Sequence, residues 1–291
     1  MKSIIQHLRL AFSLLLMPVF LFSCYVLEIG KDQNLKVELL FLFFILHGLV
    51  YPSSNAYNST QDRDEGSVGL IKKPLPVPRI LVPITIIMDC CALILCYTIH
   101  PNTAVLLFTY ILASRLYSYR GVRLKRYPIL GFLIVFICQG ALIFWIVMSV
   151  IVSDINGTTF IESLPMALVS SLFIGSIYPL SQIYQHEQDK KDGVYTISAM
   201  LGFRNTFIFS GIQFMLASLI YNYSLFNDGK KIEILIYNTF QLPVILFFLI
   251  WFYQVNKDPS KADFKHTMQM NIISAVCMNL CFIILILHLH K

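Results

Sequence analysis

Nine long apolar runs divide this chain, and they leave it few possible folds. They cover residues 10–29, 37–54, 80–99, 103–119, 128–153, 164–183, 206–225, 234–253 and 271–289, the fourth being the shortest. A helix needs roughly 20 mostly apolar residues to cross the hydrocarbon of a bilayer. The alternation of lipid-facing and lumen-facing residues that marks a β-barrel is missing from the runs. A soluble domain carries roughly a quarter charged residues. With 57% hydrophobic and 13% charged residues, this chain could not cover a water-facing surface. The expectation is one all-α, polytopic membrane domain over residues 1–291, with about nine transmembrane helices.

The first run follows Lys2 and Arg9, and Leu21-Phe22-Ser23-Cys24 faintly resembles a lipoprotein cleavage site. The run exceeds a signal-peptide core in length, so it reads as a retained first helix. Threading nine helices from a cytoplasmic N-terminus puts 17 of the 22 Lys and Arg residues on the inner side and 5 on the outer side. That is the asymmetry the positive-inside rule requires. It places residues 61–79, 115–126 and 190–204 in the cytoplasm, in a protein of the inner membrane. The net charge of +6 is accounted for by orientation and calls for no nucleic-acid partner. The seven cysteines all fall within apolar runs without zinc-site spacing, and they read as small core hydrophobes.

Residues 51–66 and 178–193 repeat one another at an offset of 127, with seven of sixteen positions identical. Composition alone would give about one identity. Four helices separate the copies, so the repeat is parallel, with halves at roughly 10–126 and 128–289, and both copies face the cytoplasm. Each follows a proline, Pro52 or Pro179, which removes a backbone donor and bends a helix. Asn55, Asn58 and Asp62 are spaced to share one helical face; Gln182, Gln185 and Asp189 are expected to repeat it. Asp64, Glu65, Glu187 and Asp192 lie nearby, and Gly66 and Gly193 form a matched pair expected to hold positive φ. Two facing patches of amides and few carboxylates suit Mg²⁺, an ion usually held by one or two carboxylates together with substrate phosphates. A diphosphate would complete the cage.

Counter-charges for phosphate are available on the same side, with Lys73, Arg120 and Lys125 the leading candidates. Asp89, inside the third run, is either functional or a fastener between helices. His47 reads as a packed polar residue, while His186 and Glu187 are candidate bases. The 23 phenylalanines and 15 tyrosines could line an isoprenoid tunnel or face lipid.

At the two motifs the sequence resembles the UbiA superfamily of intramembrane prenyltransferases. Asn58 and Asp62 match the family's first motif, Asn-x-x-x-Asp-x-x-x-Asp, with Gly66 where the last Asp stands and Asp64 or Glu65 as substitutes. Lys72-Lys73-Pro74-Leu75-Pro76 is similar to the family's Asn-Arg-Pro-Leu-Pro. In the second motif Gln185 replaces the first Asp, while Asp189, Gly193, Thr196 and Leu201-Gly202 match. Tyr117 and Lys125 resemble the Tyr and Lys that follow the fourth helix. The resemblance implies an Mg²⁺-dependent enzyme with Asp62 and Asp189 as catalytic carboxylates and Asn58, Asp62, Asp64, Gln185 and Asp189 on the metal. Asn55, Asn58, Lys73, Arg120, Lys125, Gln182 and Gln185 would hold the diphosphate. Its partners would be a polyprenyl diphosphate, a lipophilic acceptor, aromatic or otherwise, and membrane lipids. A transporter and a lipid-binding member without chemistry are the alternatives; a parallel repeat with polar residues at one face fits the transporter poorly.

Overall fold

The outer surface of the molecule is apolar and its interior holds much of its polar side-chain chemistry. Ile87, Ile94, Val105, Leu219, Leu235 and Leu246 are each more than half exposed, while Ser53, Thr85, Thr103, Ser170 and Thr267 are fully buried. Such inversion is stable only in lipid, where exposed apolar surface costs nothing and a polar group must find its partner inside the protein. The computed structural model describes residues 1–28, 33–62, 66–152 and 157–289.

The long helices are α1 (Lys2–Val26), α2 (Leu35–Asp62), α3 (Leu81–Ile99), α4 (Pro101–Ser118), α5 (Pro128–Ile151) and α6 (Gly157–Gln182). After a short α7 (His186–Lys191) come α8 (Ile197–Asn227), α9 (Lys231–Lys257) and α10 (Phe264–Leu289). Consecutive long helices pack as neighbours, and α10 returns against α1 to close a ring. Helices α5 and α6 pack together along one side of its interior, each also touching α1.

Among the described residues, eight of these helices are long and apolar enough to span a bilayer. The ninth, α4, has 18 residues, about 27 Å at 1.5 Å per residue, and is the run that the sequence marks as shortest. It is less apolar for a structural reason. Ser114 hydroxyl-bonds Ser54, Ser118 donates to Asn58, and Thr103 bonds Ser149 of α5. Arg115 pairs with Asp89 of α3, donates to Ser53 of α2 and lies 4.1 Å from the Tyr57 ring centroid. Asp89 is therefore the fastener, joining α3 to α4 and, through Ser53, to α2. Because α4 binds its neighbours through this polar seam, it holds its place with fewer apolar residues.

Two helices contain a π-helical stretch, Ile45–Val50 in α2 and Ile137–Leu142 in α5. The first ends beside Pro52, which cannot donate to the preceding turn; the carbonyl of His47 accepts instead from Ser13 of α1. His47 itself is buried between Phe43 and Tyr51, a packed residue as its sequence context indicates. In the second, the Ala141 N–H donates to Ser171 Oγ of α6 at 3.0 Å.

Candidate active site

Parity brings the C-terminal ends of α2, α4 and α6 to one end of the bundle, and both copies of the repeat meet there. The two copies fold differently. In the first, α2 continues through Asp62, so Asn55, Asn58 and Asp62 do share one helical face. In the second, α6 stops at Gln182 and a turn precedes α7. Gln182, Gln185 and Asp189 therefore do not repeat that face. Gln182 is buried and accepts from the Ser198 N–H at the start of α8, while Gln185 caps α7 and donates to the Ser67 carbonyl. The break is local: Gly193, at φ 68°, ends α7 as only glycine does readily, and the Thr196 hydroxyl caps α8 by accepting from Ala199 N–H. At Gly66 a β-carbon would displace the end of the Gln188 side chain of the second motif.

The segment between α4 and α5 supplies the charges. Lys125 pairs with one Asp62 oxygen, and Arg123 lies 3.5 Å from the other. Arg123 also donates to the Asp192 carboxylate and, at 2.8 Å, to the Asp192 carbonyl, so one guanidinium joins the two motifs. Arg120 adds a 3.1 Å bond to Asp192 and donates to the carbonyls of Gln61 and Asp62. Those carbonyls end α2, where helix dipole and unpaired acceptors favour a cation. Burial would raise the Asp192 carboxyl, but the Arg123 bond and charge, with Arg120, outweigh it and hold it below its ordinary 3.8.

Beneath the charges, the Tyr117 and Tyr178 hydroxyls meet at 2.5 Å, and both Asp62 and Asp189 act electrostatically on Tyr117. Asn58 and Asn55 line a cavity of about 140 Å³ with these tyrosines and Gln139. The Asn55 Nδ2 is buried without a partner among the described residues. A second cavity of about 220 Å³ shares Asn55, Gln139 and Tyr178 with the first and is otherwise mostly apolar. A third, of about 370 Å³, shares Ser176, Ile177, Phe214 and Ser274 with the second.

The structure thus draws Asn55, Asn58, Asp62, Arg120 and Lys125 together with Tyr117 and Tyr178, and brings Gln185 and Asp189 alongside. Lys73 is exposed in a segment clamped to α1, where Gln6 and Ser3 donate to the Lys73 and Pro76 carbonyls. None of its described contacts reaches the charged cluster. Asp64 lies outside the described residues, as do Arg63 and Glu65. Glu187 is exposed, and His186 stacks on Phe203 and bonds Ser198 Oγ. Burial holds its imidazole below the ordinary 6.5. Arg123 and Gln139 are the residues that sequence reasoning passed over, and Asp192, noted there only as an acid beside the second motif, joins the cluster. Arg123 was one of five cations in twelve residues, and only the fold separates it from the others.

No group of three or more His, Cys, Asp or Glu side chains among the described residues could hold a metal ion unaided. Single carboxylates from each motif, with amides beside them, instead fit an ion that arrives with phosphate oxygens of its own. The unpartnered Asn55 amide is a donor, suited to such an oxygen and not to a cation.

The fold and site define a polytopic membrane protein with a polar head that carries charges of both signs above a chain of mostly apolar cavities. The UbiA prenyltransferase family model matches residues 15–273, and the chain belongs to that family. No curated protein matches it. Among solved structures it is similar to the apo form of a UbiA homologue from Aeropyrum pernix K1, with a TM-score of 0.72 and 15% identity over 95% of this chain and 98% of that one. A UbiA homologue from Archaeoglobus fulgidus bound to GPP and Mg²⁺ gives a TM-score of 0.67 and 17% identity over 97% and 99%. A digeranylgeranylglyceryl phosphate synthase gives a TM-score of 0.61 and 18% identity over 98% and 97%. At these identities the likeness concerns the fold.

Proposed function

We propose that the protein is an Mg²⁺-dependent prenyltransferase that moves a prenyl group from a polyprenyl diphosphate to a lipophilic acceptor. The observation that carries this reading is the convergence of Asp62, Asp192, Arg120, Arg123 and Lys125 directly above the Asn55–Tyr178 cavity. Family membership supports it, as do the GPP or DMAPP and Mg²⁺ held by the Archaeoglobus fulgidus homologue.

The diphosphate head would lie under the charged cluster, with Asn58, Asp62, Gln185 and Asp189 holding the metal and Asp64 completing the set. Bound Mg²⁺ supplies positive charge to the departing diphosphate. Arg120, Arg123 and Lys125 exchange their carboxylate partners for phosphate oxygens, and Asn55 Nδ2 and Gln182 orient the head. The prenyl C1–O bond breaks, its electron pair leaving with the diphosphate. The acceptor supplies the pair for the new bond to C1 and loses a proton. The apolar cavities keep water from the cationic carbon. Tyr117 and Tyr178 line the head of that path, with their hydroxyls in contact.

The test is incubation of purified protein with Mg²⁺, labelled prenyl diphosphates and a lipid extract of its host. Mg²⁺-dependent pyrophosphate release and a prenylated lipid are expected. Transport without release, or binding without release, would replace this reading with one of its alternatives.

A further inference from the structure

The first turns of α1 gather a second set of cations, apart from the charged head. Lys2–Leu8 form a short helix set off from the rest of α1 by Arg9, whose backbone is left-handed at φ 47° and whose guanidinium donates to Ser59 Oγ of α2 at 2.7 Å. This strap lies against residues 73–76. Ser3 Oγ donates to the Pro76 carbonyl at 2.7 Å, and Gln6 donates to the Lys73 carbonyl and accepts from the Leu75 N–H. Buried His7 bonds the Leu75 carbonyl at 2.9 Å. Further back, the same segment meets the second motif, where Gln185 donates to the Ser67 carbonyl. Lys2, Lys72, Lys73 and Arg79 are all exposed, and none forms an ion pair among the described residues. Residues 1–27 and 66–88 hold no Asp or Glu, and Asp62 upstream is held by Lys125 and Arg123. Among these cations Met1, Ile5 and Ile80 are more than half exposed. Orientation accounts for the side on which the four cations lie, not for their gathering on two segments bonded to each other.

We propose that the strap and residues 72–80 form a docking surface for the headgroups of anionic phospholipids in the leaflet beside the charged head, and that docking holds the 66–80 segment against the second motif. The proposal stands whether or not the protein is a transferase. Four free cations without a carboxylate are the complement of phosphodiester headgroups, and each basic side chain near an anionic leaflet adds about fivefold to the attraction. A zwitterionic headgroup carries no net charge to answer them. A soluble phosphate has the charge but would leave Met1, Ile5 and Ile80 in water. Exposed Leu10 and Leu14 on α1 and Ile86 and Ile87 on α3 continue that apolar surface into the bilayer, so the occupant is the lipid itself. The arrangement is that of an interfacial helix, with apolar side chains at the acyl boundary and cations among the headgroups. Docked headgroups relieve the repulsion between adjacent Lys72 and Lys73, and the bonds of Ser3, Gln6 and His7 pass that hold on to the segment.

The experiment uses the full chain in nanodiscs of equal phosphatidylcholine and phosphatidylglycerol, with a trace of a diazirine analogue of one lipid or the other. Labelled peptides are mapped by mass spectrometry. The phosphatidylglycerol probe should label residues 1–10 and 70–80 at least fivefold more than the phosphatidylcholine probe, the scale of one basic side chain at an anionic surface. In about 0.5 M salt the ratio should fall toward one. Lys2→Gln, Lys72→Gln, Lys73→Gln and Arg79→Gln together should bring it to about one and leave the melting point in place, since none of the four side chains has an ion-pair partner to lose. Lys72→Arg with Lys73→Arg should preserve it. Amide hydrogen exchange at residues 67–76 should be about fivefold slower in the mixed discs than in phosphatidylcholine alone. Gln6→Leu should keep the labelling preference but shrink that difference. Equal labelling by the two probes, or a preference that survives the four glutamines, overturns the docking surface. Loss of the preference in millimolar glycerol phosphate overturns it in favour of a soluble anion. Equal exchange in both discs overturns the hold on the 66–80 segment. Pyrophosphate release enters none of these readouts, so failure of the transferase reading would show separately.

Discussion

Replacing Asp62 with asparagine should make metal-free diphosphate bind more tightly while abolishing metal-dependent turnover. Asp62 is paired with Lys125 and Arg123, and all three side chains are 11% exposed or less. At 3.5 Å, with an effective dielectric of about 20, two unit charges attract by about 4–5 kcal/mol. Exposed pairs retain only about 1 kcal/mol after rehydration and side-chain entropy are counted. Taking a value near that lower end, about 1.4 kcal/mol, an entering diphosphate loses roughly tenfold in affinity to this competition. The Asp62→Asn variant would keep the side chain's shape but free both cations. Calorimetry with inorganic pyrophosphate in EDTA should therefore show roughly tenfold tighter binding to the variant. In Mg²⁺ the order should reverse, because one of the two motif carboxylates is gone. Unchanged or weaker pyrophosphate binding in EDTA would refute the idea that Lys125 and Arg123 must leave Asp62 to reach phosphate.

Asp189→Ala should abolish pyrophosphate release as Asp62→Ala does; normal turnover in both would remove the site assignment. Asp89→Asn should cost about 3 kcal/mol, because it strands Arg115 inside the bundle, and should appear as a lower unfolding midpoint in detergent with little change in prenyl diphosphate half-saturation. Asp192 predicts a pH window. Its carboxyl is held below the ordinary 3.8 in the folded protein, so its stabilising effect is present above that value and is lost as pH falls through the depressed one. The melting difference between parent and Asp192→Asn should be constant near neutrality and close in the acid range below about pH 4. Gly202→Ala should destabilise by about 2–3 kcal/mol through backbone strain alone, since Gly202 holds φ 72° and ψ 172°, a region open essentially to glycine, and nothing lies within 4 Å of its missing β-carbon. Impermeant cysteine labelling should find residues 66–79, 115–126 and 190–204 on one side of the membrane, the cytoplasmic side.

The helices were legible because lipid imposes one rule on every span, and run length reads that rule directly. The first motif was legible for the same reason: α2 stays helical, so the spacing of Asn55, Asn58 and Asp62 fixes one face. The second was not, although it matches the first at seven of sixteen positions. Its helix ends at Gln182, and the turn that follows depends on the Ser198 N–H and Ser67 carbonyl, groups distant in sequence. Lys73 and Arg123 mark the same limit among the cations. Charge on the correct side is visible in sequence, but which cation enters the site depends on loop paths. The 66–80 segment is tied back to α1 by Gln6, Ser3 and His7, whereas Arg123 turns inward from a left-handed residue at φ 50°. Gln139 was invisible because a π-helical stretch resets the face it presents.

The polar seam of α4 also bears on how the chain enters lipid during synthesis. Asp89 lies at the middle of α3, a position where a lone carboxylate costs the insertion machinery roughly 3 kcal/mol. Its partner Arg115 is carried by the weakest span. Only His100 separates α3 from α4, with its ring accepting from the Asn102 N–H to start the second helix. Partitioned singly, α3 would carry an unmatched acid and α4 too little apolar length. Moved together as a hairpin, each supplies what the other lacks. Arg115 lies in the last turn of α4, so the ion pair can close only after nearly all of that helix has followed the turn.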